Sequence, residues 1–143
     1  MRLKLPTLLC LVAAIILAGC ESGGPTTSDK DIQRVDYNQV EELLKNPSAK
    51  KPTVLVDLRS ADAYAKGHLP GAIHIPLGEL KARDERLAGA DKVILYHEDI
   101  KGDFPDIAVK ILMSAGLHSA YSYRGGYQDW NSRKSGGTPE EMK

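Results

Sequence analysis

Thiols are nearly absent from this chain of 143 residues: cysteine occurs at Cys10 and Cys20 and nowhere further on. A multi-disulfide scaffold is therefore excluded. An excess of either charge is also lacking. Basic and acidic residues number 19 each, with no extended basic run, which argues against nucleic acid as a partner. The longest apolar run, 8–18, falls short of the ~20 residues that a membrane-spanning helix needs. No internal repeat is visible, and the length suits one domain.

What is present at the N-terminus is organised. Arg2 and Lys4 precede the apolar run, and the run has the length of a signal-peptide core. Leu17-Ala18-Gly19-Cys20 follows directly and resembles the bacterial lipobox at all four positions. That resemblance implies a signal peptide over 1–19, cleavage before Cys20, and lipid on the Cys20 sulfur. The mature protein would be anchored to a membrane without spanning it. Its place would be the cell envelope, on the periplasmic face. Glu21, rather than Asp, after the cysteine favours the outer over the inner membrane. Cys10 would be discarded and Cys20 consumed in a thioether, which leaves no thiolate for cysteine chemistry. Without Arg2 and Lys4 the net charge is −2. An uncleaved anchor is the competing reading of the leader.

Residues 20–31 are small and polar and read as a tether. The folded domain is expected over 32–133, with a polar tail over 134–143. Residues 32–35 suit a short edge strand. Asp36 with Gln39 forms a capping-box pattern before a helix carrying Tyr37, Val40, Leu43 and Leu44, which Asn46-Pro47 ends. The β-branched run 53–58 suits a buried parallel strand. Ser60 can cap a helix ending at Gly67. Strands are expected at 72–75, 93–96 and 120–123. Helical character is expected over 77–87 and 106–115, the latter with Ile107, Ala108, Ile111, Leu112 and Ala115 on one face. A short helix begins at Tyr127, and the chain is expected to fray from Ser132. Strands alternating with short helices predict an α/β three-layer sandwich around a mainly parallel five-stranded sheet.

Val54-Leu55-Val56-Asp57-Leu58-Arg59, the stretch from Tyr64-Ala65-Lys66-Gly67-His68-Leu69-Pro70-Gly71 to Pro76, and Tyr123-Arg124-Gly125-Gly126-Tyr127-Gln128-Asp129-Trp130 together resemble the signatures of rhodanese-like domains. Leu112–Gly116 fits the end of the helix after the active-site loop. In that family a cysteine directly after the fourth strand carries sulfane sulfur as a persulfide, cradled by loop N–H groups. Here that position holds His97. The resemblance thus implies the fold, and the loop His97, Glu98, Asp99, Ile100, Lys101, Gly102, Asp103 and Phe104 as the site, but supplies no nucleophile. Asp57, Arg59 and His68 are expected at the rim or in the scaffold, and Trp130 in the core.

Glu98, Asp99, Asp103 and Asp106 oppose only Lys101 within 97–106. Such a loop is expected to repel anionic sulfur donors and phosphate esters. The leading expectation is therefore a tethered, non-catalytic module that binds an envelope protein through the loop, without cofactor or metal. Alternatives are a sulfurtransferase-related enzyme with an atypical loop, His97 acting as nucleophile or base, and a cation site at His97, Glu98, Asp99 and Asp103. A further alternative is sulfur chemistry by an unlipidated Cys20 thiol visiting the loop.

Overall fold

The computed structural model describes residues 27–46 and 52–136. The expected signal peptide, Cys20 and most of the tether lie outside the described residues. So does the tail beyond Gly136.

Five strands, β1 (Gln33–Arg34), β2 (Thr53–Asp57), β3 (Ile73–His74), β4 (Lys92–Tyr96) and β5 (Ala120–Tyr123), form one sheet in the order β1-β5-β4-β2-β3. Every pairing is parallel. Helices α1 (Tyr37–Lys45), α2 (Ala61–Lys66), α3 (Phe104–Ser114) and α4 (Gly126–Lys134) alternate with the strands. The alternation of side chains along each strand divides the core into two layers. Val93 and Leu95 of β4 face Ala108, Val109 and Leu112 of α3. Ile94 and Tyr96 face the other way and pack with Tyr37, Val40 and Trp130.

Helix α1 starts at the expected capping box. The Gln39 N–H donates to Asp36 Oδ1 at 2.9 Å, and the Asp36 N–H donates to Gln39 Oε1 at 2.9 Å. Helix α3 ends in a Schellman motif. Gly116 is at φ +90°, its N–H donates to the Met113 carbonyl, and the Leu117 N–H donates to the Leu112 carbonyl.

The structure departs from expectation in four places. First, residues 77–87 form no α-helix, only 3-10 turns at Leu77–Glu79 and Glu85–Leu87. Asp84 takes both the N–H and the Nε–H of Arg86 locally, at 3.1 and 2.8 Å; such short-range bonds compete with a helix ladder. Second, β1 and β3 are shorter than expected, only Gln33–Arg34 and Ile73–His74. Third, α3 begins at Phe104, not Asp106, because Pro105 is tolerated in a first turn where its missing N–H costs nothing. The buried stripe of α3 includes Pro105, Ala108, Val109 and Leu112, and Ile107 is exposed. Fourth, α4 runs through Ser132 to Lys134. Arg133 pairs with Asp129 at 2.6 Å and Lys134 with Glu41 at 3.0 Å, which ties the last turn to its own helix and to α1.

Candidate functional site

Parallel neighbours β4 and β5 end in register, Tyr96 opposite Tyr123. The segments leaving them must therefore run side by side. Residues 97–103 leave β4, and Arg124-Gly125 leaves β5 into α4. This is the carboxyl edge of the sheet, where open α/β folds build ligand sites.

The loop is fastened to α4 through its backbone. The Tyr127 N–H donates to the His97 carbonyl at 2.9 Å and the Gln128 N–H to the Glu98 carbonyl at 2.9 Å. Gly126, at φ +66°, makes room for this approach. A Cβ there would lie 2.6 Å from the His97 oxygen and 2.8 Å from the Glu98 oxygen.

His97 is the first residue after β4, and its ring packs against Phe104 with centroids 4.4 Å apart. Partial burial lowers its pKa from the ordinary value near 6.5, against the opposing pull of Glu98 and Asp57. The imidazole is neutral at pH 7. The unfolded chain takes up a proton as pH falls through about 6.5 while the folded state does not, so stability is lost on acidification in that window. The urea stability of the His97→Asn variant should fall less between pH 7.5 and 5.5 than that of the parent chain; equal losses would remove His97 as the cause.

Beneath the loop lies a buried ionic network. Asp57 and Arg59 stand at the end of β2 and are 0% and 4% exposed. Arg59 Nη2 donates to Asp57 Oδ2 at 2.7 Å and to the Gly67 carbonyl at 2.6 Å, and Nε donates to Asp57 Oδ1 at 3.0 Å. Its Nη1 reaches up to Glu98 Oε2 at 3.0 Å. The Tyr96 hydroxyl donates to Asp57 at 2.6 Å and accepts from the Leu69 N–H at 3.1 Å. Tyr127 covers the guanidinium, with its centroid 4.1 Å from the Arg59 Cζ. Burial alone would raise the Asp57 pKa; hydrogen bonds from Arg59 and Tyr96 outweigh it and hold the carboxyl below its usual range.

The other loop residues diverge. Asp99 accepts the Lys101 N–H at 2.9 Å, closing an Asx turn. Asp103 pairs with Arg124 at 2.6 Å and Asp106 with Arg34 at 2.7 Å. Gly102 lies under the Phe104 ring, where a Cβ would be 2.6 Å from Cδ2. Ile100 is exposed. His68 stacks on Tyr64 with centroids 4.0 Å apart, its Nδ1 donating to the Tyr64 carbonyl at 3.1 Å. His74 Nε2 donates to the Arg59 carbonyl at 2.9 Å.

This arrangement corrects the expected charge of the loop. Asp106 belongs to the first turn of α3 and is buried. Asp57 and Glu98 pair with Arg59, Asp103 with Arg124 and Asp106 with Arg34; counted with Asp99 and Lys101, these residues carry one negative charge in excess. The loop contains no arginine, yet the neighbouring arginines largely neutralise it. The four residues considered for a cation point to separate partners, and the described residues hold no metal-competent cluster of His, Cys, Asp and Glu.

Sequence reasoning marks Gly126 as a turn glycine needing positive φ or close backbone approach, as found, but it does not assign Gly126, Arg34, Arg124 or Tyr127 to the site. The usable signal was topological, since the residues after two neighbouring parallel strands must be adjacent. Beside the loop opens a cavity of about 530 Å³ lined by Arg34, Tyr37, Asp99, Ile100, Arg124 and Arg133, among others. Among the described residues, buried Asp106 Oδ1 and Arg124 Nε lack a hydrogen-bond partner.

A parallel sheet in this order, with a strand–loop–helix candidate site at its carboxyl edge and a glycine-dependent turn holding the loop, defines an open α/β domain. The chain belongs to the rhodanese-like domain family, whose pattern matches residues 39–133. A putative mitochondrial thiosulfate sulfurtransferase from Schizosaccharomyces pombe is 26% identical, with 76% of this chain and 84% of that protein covered. The putative sulfur carrier protein YrkF of Bacillus subtilis is 30% identical over 80 residues, 55% of this chain; the chain spans only 42% of that relative. The solved human single-domain sulfurtransferase TSTD1 is 26% identical, with 68% and 94% of the two chains covered and a TM-score of 0.55. A full-length Lactobacillus plantarum protein superposes with a TM-score of 0.61 at 27% identity, covering 71% of this chain and 82% of its own. The fold and the sulfurtransferase-related kinship are thereby established.

Proposed function

We propose that this protein is a membrane-tethered rhodanese-like module of the bacterial cell envelope that has lost sulfurtransferase activity and acts by binding. The reading rests above all on one observation. The residue after β4, which carries the thiolate in active members, is His97, and its ring is spent packing on Phe104. Both cysteines, Cys10 and Cys20, precede the folded domain. A persulfide needs a thiolate held in a prepared cradle. In this loop the Lys101 N–H is already taken by the Asp99 carboxylate.

Anchoring follows from the lipobox-like Leu17-Ala18-Gly19-Cys20, and Glu21 favours the outer membrane. The partner bound through the loop is an envelope protein. No helix among the described residues is long and apolar enough to cross a membrane. The mature protein, purified from membranes, should form no thiocyanate above background from thiosulfate and cyanide. Steady thiocyanate release would overturn the reading. Mass spectrometry of the same preparation should find diacylglyceryl on Cys20.

A further inference from the structure

We infer that the exposed face of α3 beside the loop is a membrane-contacting surface, seated on the bilayer that holds Cys20. The inference rests on the lipid-anchored reading above and adds an orientation to it.

Among the described residues, the large hydrophobic side chains left exposed are Ile100 (56%), Phe104 (42%) and Ile107 (45%). Single exposed apolar residues need no explanation, but a concentration of them does. All of these fall within the loop and the first turn of α3. Phe104 and Ile107 share a helix face at a spacing of three, and half-buried Ile111 continues it.

The tether arrives at the same helix. Lys110, three positions beyond Ile107, pairs with Asp29 at 2.5 Å. Asp29 stands nine positions after Cys20, and nine residues can span at most about 32 Å. Phe104 and Lys110 are separated by about 9 Å along the helix axis. A lipid on Cys20 therefore holds this side of the domain within one short tether of the bilayer. Confinement of that kind raises the effective concentration of membrane at the patch, so weak apolar contacts suffice.

The surrounding charges permit the contact. Lys101 borders the patch and carries a long stem that can extend towards headgroups, and Lys110 meets the charge of Asp29. Asp103 is paired with Arg124, and Asp99 is engaged by its own loop. Seated this way, the side chains of Phe104 and Ile107 enter the headgroup boundary, and the 97–103 loop opens at headgroup level. Ligands then reach the loop along the membrane surface.

The test uses the full lipoprotein carrying Ile107→Cys or, on α1 in the opposite layer, Asn38→Cys. Lipidation of Cys20 leaves the introduced thiol as the one available to a polarity-sensitive fluorophore. The protein is reconstituted in vesicles of phosphatidylethanolamine and phosphatidylglycerol. The label at 107 should shift to the blue and be quenched by nitroxide lipids, while the label at 38 is quenched by aqueous iodide. Equal access of iodide to both sites sinks the proposal. Shielding of the 107 label in native membranes but not in protein-free vesicles overturns it in favour of a protein partner. Mass analysis of Cys20 separates the two readings. An unmodified thiol removes the anchor and the docking face together, whereas lipidated Cys20 with a water-exposed 107 label removes the docking face alone.

Discussion

Arg59→Ala should lower the unfolding free energy of the domain by about 3–5 kcal/mol, the usual consequence of stripping one partner from a buried ion pair. The corresponding fall in melting temperature is roughly 10–20 °C for a domain of this size. The expectation rests on burial and on the number of groups the guanidinium serves. Arg59 is 4% exposed, and Asp57 beneath it is 0% exposed. Removing the guanidinium leaves the Asp57 carboxylate in an apolar setting with only the Tyr96 hydroxyl and the Arg59 N–H as donors. It also frees Glu98, whose contact with Arg59 Nη1 pins the loop side chain from below, and leaves the Gly67 carbonyl without its donor. Some of the loss is the cost of an orphaned charge rather than the worth of the pair. The double variant Asp57→Asn with Arg59→Met should therefore be more stable than Arg59→Ala alone. Chemical denaturation of the three proteins decides the matter. A double variant as damaged as the single would mean that the guanidinium acts through Glu98, Gly67 and Tyr127 rather than through Asp57.

Local pattern carried most of the scaffold. The capping box at Asp36 and Gln39, the β-branched run around Leu55 and Val56, and the Gly116 terminus of α3 are written in adjacent residues and formed as their chemistry dictates. The buried face of α3 is not written locally: Ile107 and Val109 are both apolar, and packing on the sheet puts Val109 in the core with Leu95 and leaves Ile107 exposed. Along 77–87 the charged residues looked helical, but Asp84 and Arg86 satisfy one another two residues apart. The site was harder because its bonds are long-range. Glu98 meets Arg59 across 39 positions and Asp103 meets Arg124 across 21. Charge counted within the loop alone therefore exaggerated its acidity. Only the parallel pairing of β4 with β5 brings Arg124 and Gly126 to the loop, and strand order is not a property of any short window.

Gly126→Ala should cost about 2–5 kcal/mol and release the loop from α4. Two effects combine. At φ +66° a residue with a Cβ occupies the left-handed region at a cost of about 1–3 kcal/mol. The added methyl would also sit 2.6 and 2.8 Å from the His97 and Glu98 carbonyl oxygens, which are backbone atoms and cannot rotate away. Relief requires the loop and α4 to separate, and this breaks the bonds from Tyr127 and Gln128 to those same oxygens, each worth about 0.5–1.5 kcal/mol. Gly71 provides the internal comparison. It is also in the left-handed region, at φ +75°, but a Cβ there meets nothing within 4 Å. Gly71→Ala should thus pay the conformational cost and nothing more. Hydrogen exchange adds a readout specific to the contact: the Tyr127 and Gln128 amides should lose protection in Gly126→Ala and keep it in Gly71→Ala. If the two substitutions prove equally costly and both leave those amides protected, the loop is held by its side chains, through Glu98 on Arg59 and Asp103 on Arg124, and the glycine is only a turn. The sharper expectation is the opposite one, because side-chain pairs at a partly exposed rim contribute little, whereas this backbone contact allows no substitute for glycine.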